Sequence, residues 1–298
     1  MTSPTASPGG ASRFEDAPTA ERSEVAEVLD VGTAHRLAGL LDVGPEVLAD
    51  GELPPLWHWV HLLERPASAQ IGPDGHPLTG VPAPPGEGMK RMFAGGRVSL
   101  HAPLWLGRTA TRRTWVTGSR TKEGRSGALR FVGVRTEISQ DGRLAVVEEN
   151  DIVYRQAGTR IPVEAGTLDA APPDLGERAT VRLRADEATL FRFSALTYNA
   201  HRIHYDLGWC AVEGYDGLVI HGPLQALLMG EHVRRHGGGL LGRRFDYRLV
   251  SPAVGTQVIT AVADHGQTGG QLALVDVHGR TTATASHSPV PPLPPDGA

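Results

Sequence analysis

Cysteine is nearly absent: Cys210 is the single one in 298 residues. An internal disulfide is therefore excluded, and a thiolate-rich metal cluster with it. No apolar run comes near the roughly 20 residues needed to cross a bilayer, and the first residues lack the basic-then-apolar order of a secretion signal. A basic excess is missing as well, since 29 Lys and Arg stand against 33 Asp and Glu for a net charge of −4. That balance argues against nucleic acid or an anionic membrane as partner. Aromatic residues are few, and they do not interleave the arginine-rich stretch Arg108, Arg112, Arg113, Arg120 and Arg125, which reads as a solvated sheet face. Gly237 to Gly239 lacks the spacing and the preceding strand of a phosphate-binding loop and reads as a helix stop. A cytoplasmic location, no cofactor and no bound metal are the expectations that follow.

What is present is the balance of a globular protein, with 40% hydrophobic and 21% charged residues. The length allows one large domain or two medium ones. Residues 1–20 and 291–298, rich in Ser, Pro, Ala and Gly, are expected to be disordered tails. From Glu21 to Leu48 the apolar positions predict two short helical pieces broken near Gly32. Leu56 to Leu63 fits either a short buried helix or a strand. Residues 65–90 predict a long extended loop, of a kind that often covers a binding site. Four β-rich runs follow at Arg97–Pro103, Thr109–Thr121, Ala128–Ser139 and Leu144–Arg155, although their two-residue alternation is only partial.

A Pro-rich bridge from Ala170 to Leu175 leads into a second half. It has a strand at Ala179–Arg184, a helix from Pro223 to His236, and strands at Phe245–Pro252, Thr256–Asp264, Leu272–Val277 and Thr281–Ser288. Arg97 to Val116 and Arg243 to Val262 echo one another: a strand, a proline turn, a glycine, a longer strand. The expected architecture is therefore α+β and duplicated, with units at 21–169 and 176–290, each a helix wrapped by an antiparallel sheet.

Chemistry-bearing residues concentrate between Phe191 and Met229. Asn199, His201, His204, Asp206 and His221 precede a Gly222-Pro223 step and the mostly apolar run Leu224 to Met229. Proline just inside a helix start has the right φ and no amide hydrogen to lose, so helix onset falls near Gly222. The open amides of that first turn gather partial positive charge. Imidazoles facing such an end suit a reaction that builds negative charge on oxygen.

The run Ser194 to Asp206 (SALTYNAHRIHYD), followed by Glu213 to Gln225 (EGYDGLVIHGPLQ), resembles the two-domain MaoC-like hydratases and dehydratases of the hot-dog fold. That family includes 3-methylfumaryl-CoA (mesaconyl-CoA) hydratase and 3-hydroxyacyl-thioester dehydratases. Trp57-His58-Trp59, Gly72 to Pro77, Arg91 to Arg97 and Gly124 to Gly127 through Asp151 to Arg155 are similar to its N-terminal repeat. The resemblance implies a double hot dog whose N-terminal repeat is non-catalytic and shapes the acyl pocket. It also implies an acyl-CoA or carrier-bound acyl thioester as partner, and an internal pseudo-dimer that stands alone or forms a homodimer. The family's Asp, four residues and His fall here on Asn199 and His204. Asn199 is a departure, because an amide holds water but cannot take its proton.

On this reading His204 is acid and base, Asn199 orients the water, and the Gly222 amide binds the thioester oxygen. His201, Arg202, Tyr198, His221 and Pro223 are expected around the substrate. Other readings stay open. His204 suits a structural histidine, and His201 with His204 suits half of a metal site completed by Asp206 or His221. His221 lines the pocket or caps the helix; Arg202 reaches a CoA phosphate or substrate carboxylate, or pairs with Asp206 or Glu213; Asp206 or His201 assists His204. Cys210 is expected to be an inert thiol, and Trp57 and Trp59 core residues. The specific expectation is hydration of 3-methylfumaryl-CoA to 3-citramalyl-CoA, with a 3-hydroxyacyl-thioester dehydratase or a non-catalytic acyl-thioester-binding subunit as alternatives.

Overall fold

The computed structural model describes residues 15–16, 22–84, 88–124, 127–156, 162–263 and 270–290. The expected tails at 291–298 and, apart from residues 15–16, at 1–20 lie outside them. In chain order the elements of the first half are β1 (Glu15–Asp16), β2 (Arg22–Val28), α1 (Val31–Leu40), β3 (Glu52–Leu53), β4 (Met89–Leu100), β5 (Leu104–Trp105), β6 (Thr109–Gly124), β7 (Gly127–Gln140) and β8 (Arg143–Gln156). The second half has β9 (Thr180–Ala185), α2 (Glu187–Leu196), α3 (Leu207–Glu213), α4 (Gly222–His236), β10 (Arg243–Leu249), β11 (Gln257–Ala263), β12 (Leu272–Val275) and β13 (Thr281–Pro289).

One continuous antiparallel sheet runs β1-β6-β7-β8-β4-β10-β13-β12-β11-β9, with β2 also on β6. The two halves meet edge to edge, β4 on β10, with Phe245 opposite Val98. Close approach there demands glycine: a Cβ on Gly95, at φ +142°, would lie 2.3 Å from the Tyr247 carbonyl oxygen. The turn at Asp141-Gly142 has positive φ at both residues, the geometry a right-twisted hairpin between β7 and β8 requires.

Helix α4 packs on β9, β11, β12 and β13 and is buried without a break from Leu224 to Val233. It belongs to a single large core that takes in Trp57, Leu190, Phe193, Leu227 and Phe245 from both halves. Its far end is tied to the first half, because buried Glu231 accepts from Trp57 Nε1 at 2.9 Å and from Arg234.

The expected helix at 222–236 and the expected meanders are found. The lead-in differs. Arg22 to Val28 is a strand, not a helical piece, because it lies antiparallel along β6 and alternates exposed with half-buried residues. Helix α1 runs through Gly32, with Asp30 capping it through the Thr33 amide at 2.6 Å. Trp57 to Val60 is a buried 3-10 turn, which neither a full helix nor a strand describes.

Candidate active site

Asp186 caps α2 through the Thr189 amide at 2.9 Å, and this helix delivers Ser194 into the core. The chain then reverses through Tyr198, at φ +52°, and the Asn199 side chain closes the turn by accepting from the His201 amide at 3.0 Å. A 3-10 turn, Arg202–His204, follows, and Asp206 caps α3 through the Trp209 amide at 3.0 Å. From α3 the chain returns to His221, where α4 begins.

His204 is buried, and its Nδ1 lies 2.6 Å from the Val219 carbonyl oxygen. A carbonyl only accepts, so Nδ1 carries the proton and Nε2 keeps its lone pair. Burial, opposed in part by that hydrogen bond, lowers its pKa to about 3 and holds the ring neutral. His221 stacks on it, with centroids 3.5 Å apart, and meets Ser194 Oγ through Nε2 at 2.9 Å. His221 Nδ1 is buried with no hydrogen-bond partner among the described residues. His221 occupies the cap position of α4 but its side chain makes no cap hydrogen bond, so it leaves the amides of that first turn open.

His201 faces the other edge of His204, centroids 5.6 Å apart. Its Nε2 donates to Glu213 Oε1 at 3.1 Å, and Glu213 also takes Trp209 Nε1 at 2.9 Å and Lys90 Nζ at 3.5 Å. Burial raises the Glu213 pKa, but the hydrogen bond and charge from His201, with Lys90, lower it below the usual value. Burial lowers His201 despite its bond to Glu213.

The long loop covers this site. A Cβ on Gly75, at φ +89°, would sit 1.7 Å from the Ala200 carbonyl oxygen, so only glycine lets the loop press down here. Beside it His76 lies against His201, centroids 4.0 Å apart, with Asp74 Oδ2 3.0 Å from His76 Nδ1. Burial raises the Asp74 pKa, yet the His76 hydrogen bonds bring it to about 2. Among the described residues Asp74, His76 and His201 have ligand atoms within 4.8 Å of one another and could hold an ion; the grouping centred on His201 and His204 is not among such sets. The Asp74–His76 hydrogen bonds already account for the closeness of that pair.

The remaining expected residues are engaged elsewhere. Arg202 donates to Asp206 at 2.6 Å and to the Pro73 carbonyl at 3.0 Å, with its guanidinium 4.2 Å from the Trp209 ring centroid. Asp206 therefore has one oxygen on Arg202 and the other on the α3 cap. Tyr198 is largely exposed. Cys210 is buried, its Sγ 3.1 Å from the Ile203 carbonyl, and burial raises its pKa to about 11. Asp74, His76, Ser194 and the His201–Glu213 pair escaped sequence reasoning as site residues. The compact Gly-Pro-Asp-Gly-His-Pro turn was the available signal for the first two.

A cavity of about 380 Å³ lies under the first-half sheet and reaches Thr197, Tyr198 and Asn199. Its lining alternates by two along each strand: Arg91 and Phe93, Arg112 and Thr114, Val134, Thr136 and Ile138, Glu148, Asn150 and Ile152. One face of the sheet is thus turned inward. Through His61, Leu63 and Tyr198 it shares its lining with an outer groove of about 970 Å³ between α1 and α2.

Hydroxyacyl-thioester dehydratase type 2 proteins match residues 56–255. The chain belongs to that family. It is 48% identical over 189 residues to the mesaconyl-C(4)-CoA hydratase of Chloroflexus aurantiacus, an alignment covering 63% of this chain and 66% of that one, just under two thirds of the relative. HtdX of Mycobacterium tuberculosis superposes with a TM-score of 0.61 at 14% identity, covering 90% of this chain and 100% of that one. A second M. tuberculosis protein, described as a double hot dog, gives 0.51 at 14% identity over 91% and 96%. At such identities these two speak for the fold alone, and that fold is the double hot dog. Among the described residues no helix is long and apolar enough to cross a membrane.

Proposed function

We propose that the protein is a hydro-lyase that adds water reversibly to an enoyl thioester, with mesaconyl-C(4)-CoA as its specific substrate. The observation that carries this reading is His204: a neutral imidazole whose Nδ1 is committed to a backbone carbonyl and whose Nε2 has no hydrogen-bond partner among the described residues. In hydration Nε2 takes a proton from water as the water oxygen bonds to the β-carbon. The double-bond electrons move onto the thioester oxygen, which the Gly222 amide and the positive end of α4 stabilise. The imidazolium then returns its proton to the α-carbon, and dehydration is the reverse. The low proton affinity of His204 in the empty site rises when an enolate forms beside it, because a nearby negative charge favours the charged ring. Asn199, with its oxygen on the His201 amide, has its NH₂ group left to orient the water. His201, steadied by Glu213, supports the next edge of the pocket. The relative's name supports the mesaconyl substrate, and the cavity supports an acyl group reaching into the first half.

The test is loss of enoyl-thioester absorbance with mesaconyl-C(4)-CoA and crotonyl-CoA. Wild type should turn over the former faster, and His204→Ala should lose roughly 10²–10⁴-fold in kcat, the usual contribution of a general acid–base; Asn199→Ala should lose less. Near wild-type turnover in His204→Ala would remove the assignment. Binding of both thioesters by the wild type without turnover would favour an acyl-thioester-binding subunit.

A further inference from the structure

The inner cavity carries more charge than an acyl chain needs, and its charges divide unequally. Its carboxylates are taken: Glu148 accepts from His58 Nε2 at 2.8 Å and from Trp59 Nε1, and Glu64 accepts from Ser23 Oγ at 2.7 Å and Arg112 Nη2 at 3.2 Å. Its cations are paired only in part, Arg112 holding Glu64 through Nη2 alone. Arg112 Nε is buried with no hydrogen-bond partner among the described residues. Arg91 lines the same cavity from β4 and makes no hydrogen bond or ion pair among the described residues. Burial lowers its pKa, with Tyr154, Glu64 and Asp74 near enough to act on it by charge alone. A guanidinium presents its donors in a fixed fork that matches a carboxylate. An unpaired one inside a cavity is costly unless a ligand completes it.

We propose that Arg91, which lines the cavity from β4, is the receptor for a carboxylate at the far end of the acyl group. The inference rests on the acyl-thioester reading, and it names the residue that would select the free carboxylate of a dicarboxylic acyl group such as mesaconyl over a plain acyl chain. On this proposal the thioester oxygen sits at the α4 end and the distal end of a four-carbon acyl group enters the cavity, whose lining extends to Asn199. A terminal methyl there leaves Arg91 unpaired; a terminal carboxylate pairs it. Discrimination of this kind is larger than an extra methylene can supply, because the penalty falls on a buried polar group.

The test needs no turnover. Succinyl-CoA and butyryl-CoA share a four-carbon acyl group and differ in a terminal carboxylate against a methyl, and neither has a double bond to hydrate. Calorimetric titration of the full chain should give succinyl-CoA roughly 10²-fold tighter, the scale set by a desolvated charge pair. In Arg91→Gln the ratio of the two affinities should fall to near one, and in Arg91→Lys, which keeps the charge and loses the fork, to about ten. Circular dichroism and melting check that each variant folds; Lys serves if Gln does not. A wild-type ratio near one, or a ratio that Arg91→Gln leaves intact while both affinities drop together, would overturn the proposal. Strong discrimination in a protein that hydrates no thioester would instead sink the hydratase reading and leave the carboxylate site standing.

Discussion

The two halves hang on one sheet and differ in what lies against it. Against β9 and β11–β13 sits α4, fifteen residues long and buried at ten consecutive positions. Against β4 and β6–β8 there is no such helix among the described residues. The ten-residue α1 packs instead on α2 and on the turn at Trp57, and the inward face of the strands lines a cavity. The same strand order thus serves two ends. Filled, it backs the first turn of α4 and the neighbouring histidines; open, it leaves a cavity with a polar lining, which on the proposed reading is the acyl receptor.

The sharpest way to break this division is to compare two buried histidines, one from each half. His204→Ala should lose its roughly 10²–10⁴-fold of kcat with a small change in stability, because the ring is neutral and partnered by one carbonyl. His58→Ala should do the opposite. It strips the first partner from fully buried Glu148, a carboxylate whose pKa burial raises and the His58 charge and hydrogen bond bring back down. Removing one member of a buried pair costs about 3 kcal/mol or more, so chemical denaturation should show a loss of that order with turnover per folded molecule largely kept. If His58→Ala abolished turnover without destabilising the protein, the first half would share in the chemistry.

A smaller effect is expected where the halves touch at the covering loop. Gly75→Ala forces a Cβ into the Ala200 carbonyl at a φ that side chains rarely adopt, and the loop must lift. Displacement by about 1 Å near a reacting centre costs up to roughly 10²-fold. A drop of tens-fold in kcat/KM with an unchanged melting temperature is therefore expected. Turnover at the wild-type level would mean that the loop covers the site without contributing to it.

The contrast between the halves also explains what could be read in advance. The second half was legible because its inward face is core: Val181, Leu183 and Ala185 alternate along β9 as apolar residues should, and Gly222-Pro223 marks where α4 begins. The first half blurred because its inward face is a cavity wall. Arg112, Thr114, Thr136, Glu148 and Asn150 point inward, so a search for apolar alternation loses phase there. The strand Arg22–Val28 was hidden for a related reason, since Ser23 and Glu27 share its inner side with Val25. At the site, chain-local features such as the Asn199–His204 spacing were visible, whereas the His201–Glu213 and Ser194–His221 partnerships depend on α2, α3 and α4 meeting in space. The Asp206–Arg202 pair, four residues apart, was one of the alternatives that spacing left open.

The smallest effect expected is on stability against pH, and it reaches both halves. His61 lines the first-half cavity, with burial lowering its pKa to about 4; His204 is lowered to about 3, and burial takes His221 well below its ordinary value. An unfolded histidine titrates near 6.5. Below that pH the unfolded chain takes up protons that these buried rings refuse, so acid favours unfolding, and the contribution is fully present above 6.5 and lost on the way down to each folded value. Each ring contributes at most about 1.4 kcal/mol per pH unit in that window. Between pH 6.5 and 5 the carboxylates of the unfolded chain remain ionised, so this interval isolates the histidines. Stability from urea unfolding should fall steadily across it. His61→Gln and His204→Gln should each flatten the slope by up to the same amount, one acting in the first half and the other in the second. A slope that His204→Gln flattens and His61→Gln leaves alone would mean that the first-half cavity is wet enough to solvate a charged ring. The first half would then differ from the second in hydration as well as in shape, and the selectivity proposed for Arg91 would be correspondingly weaker.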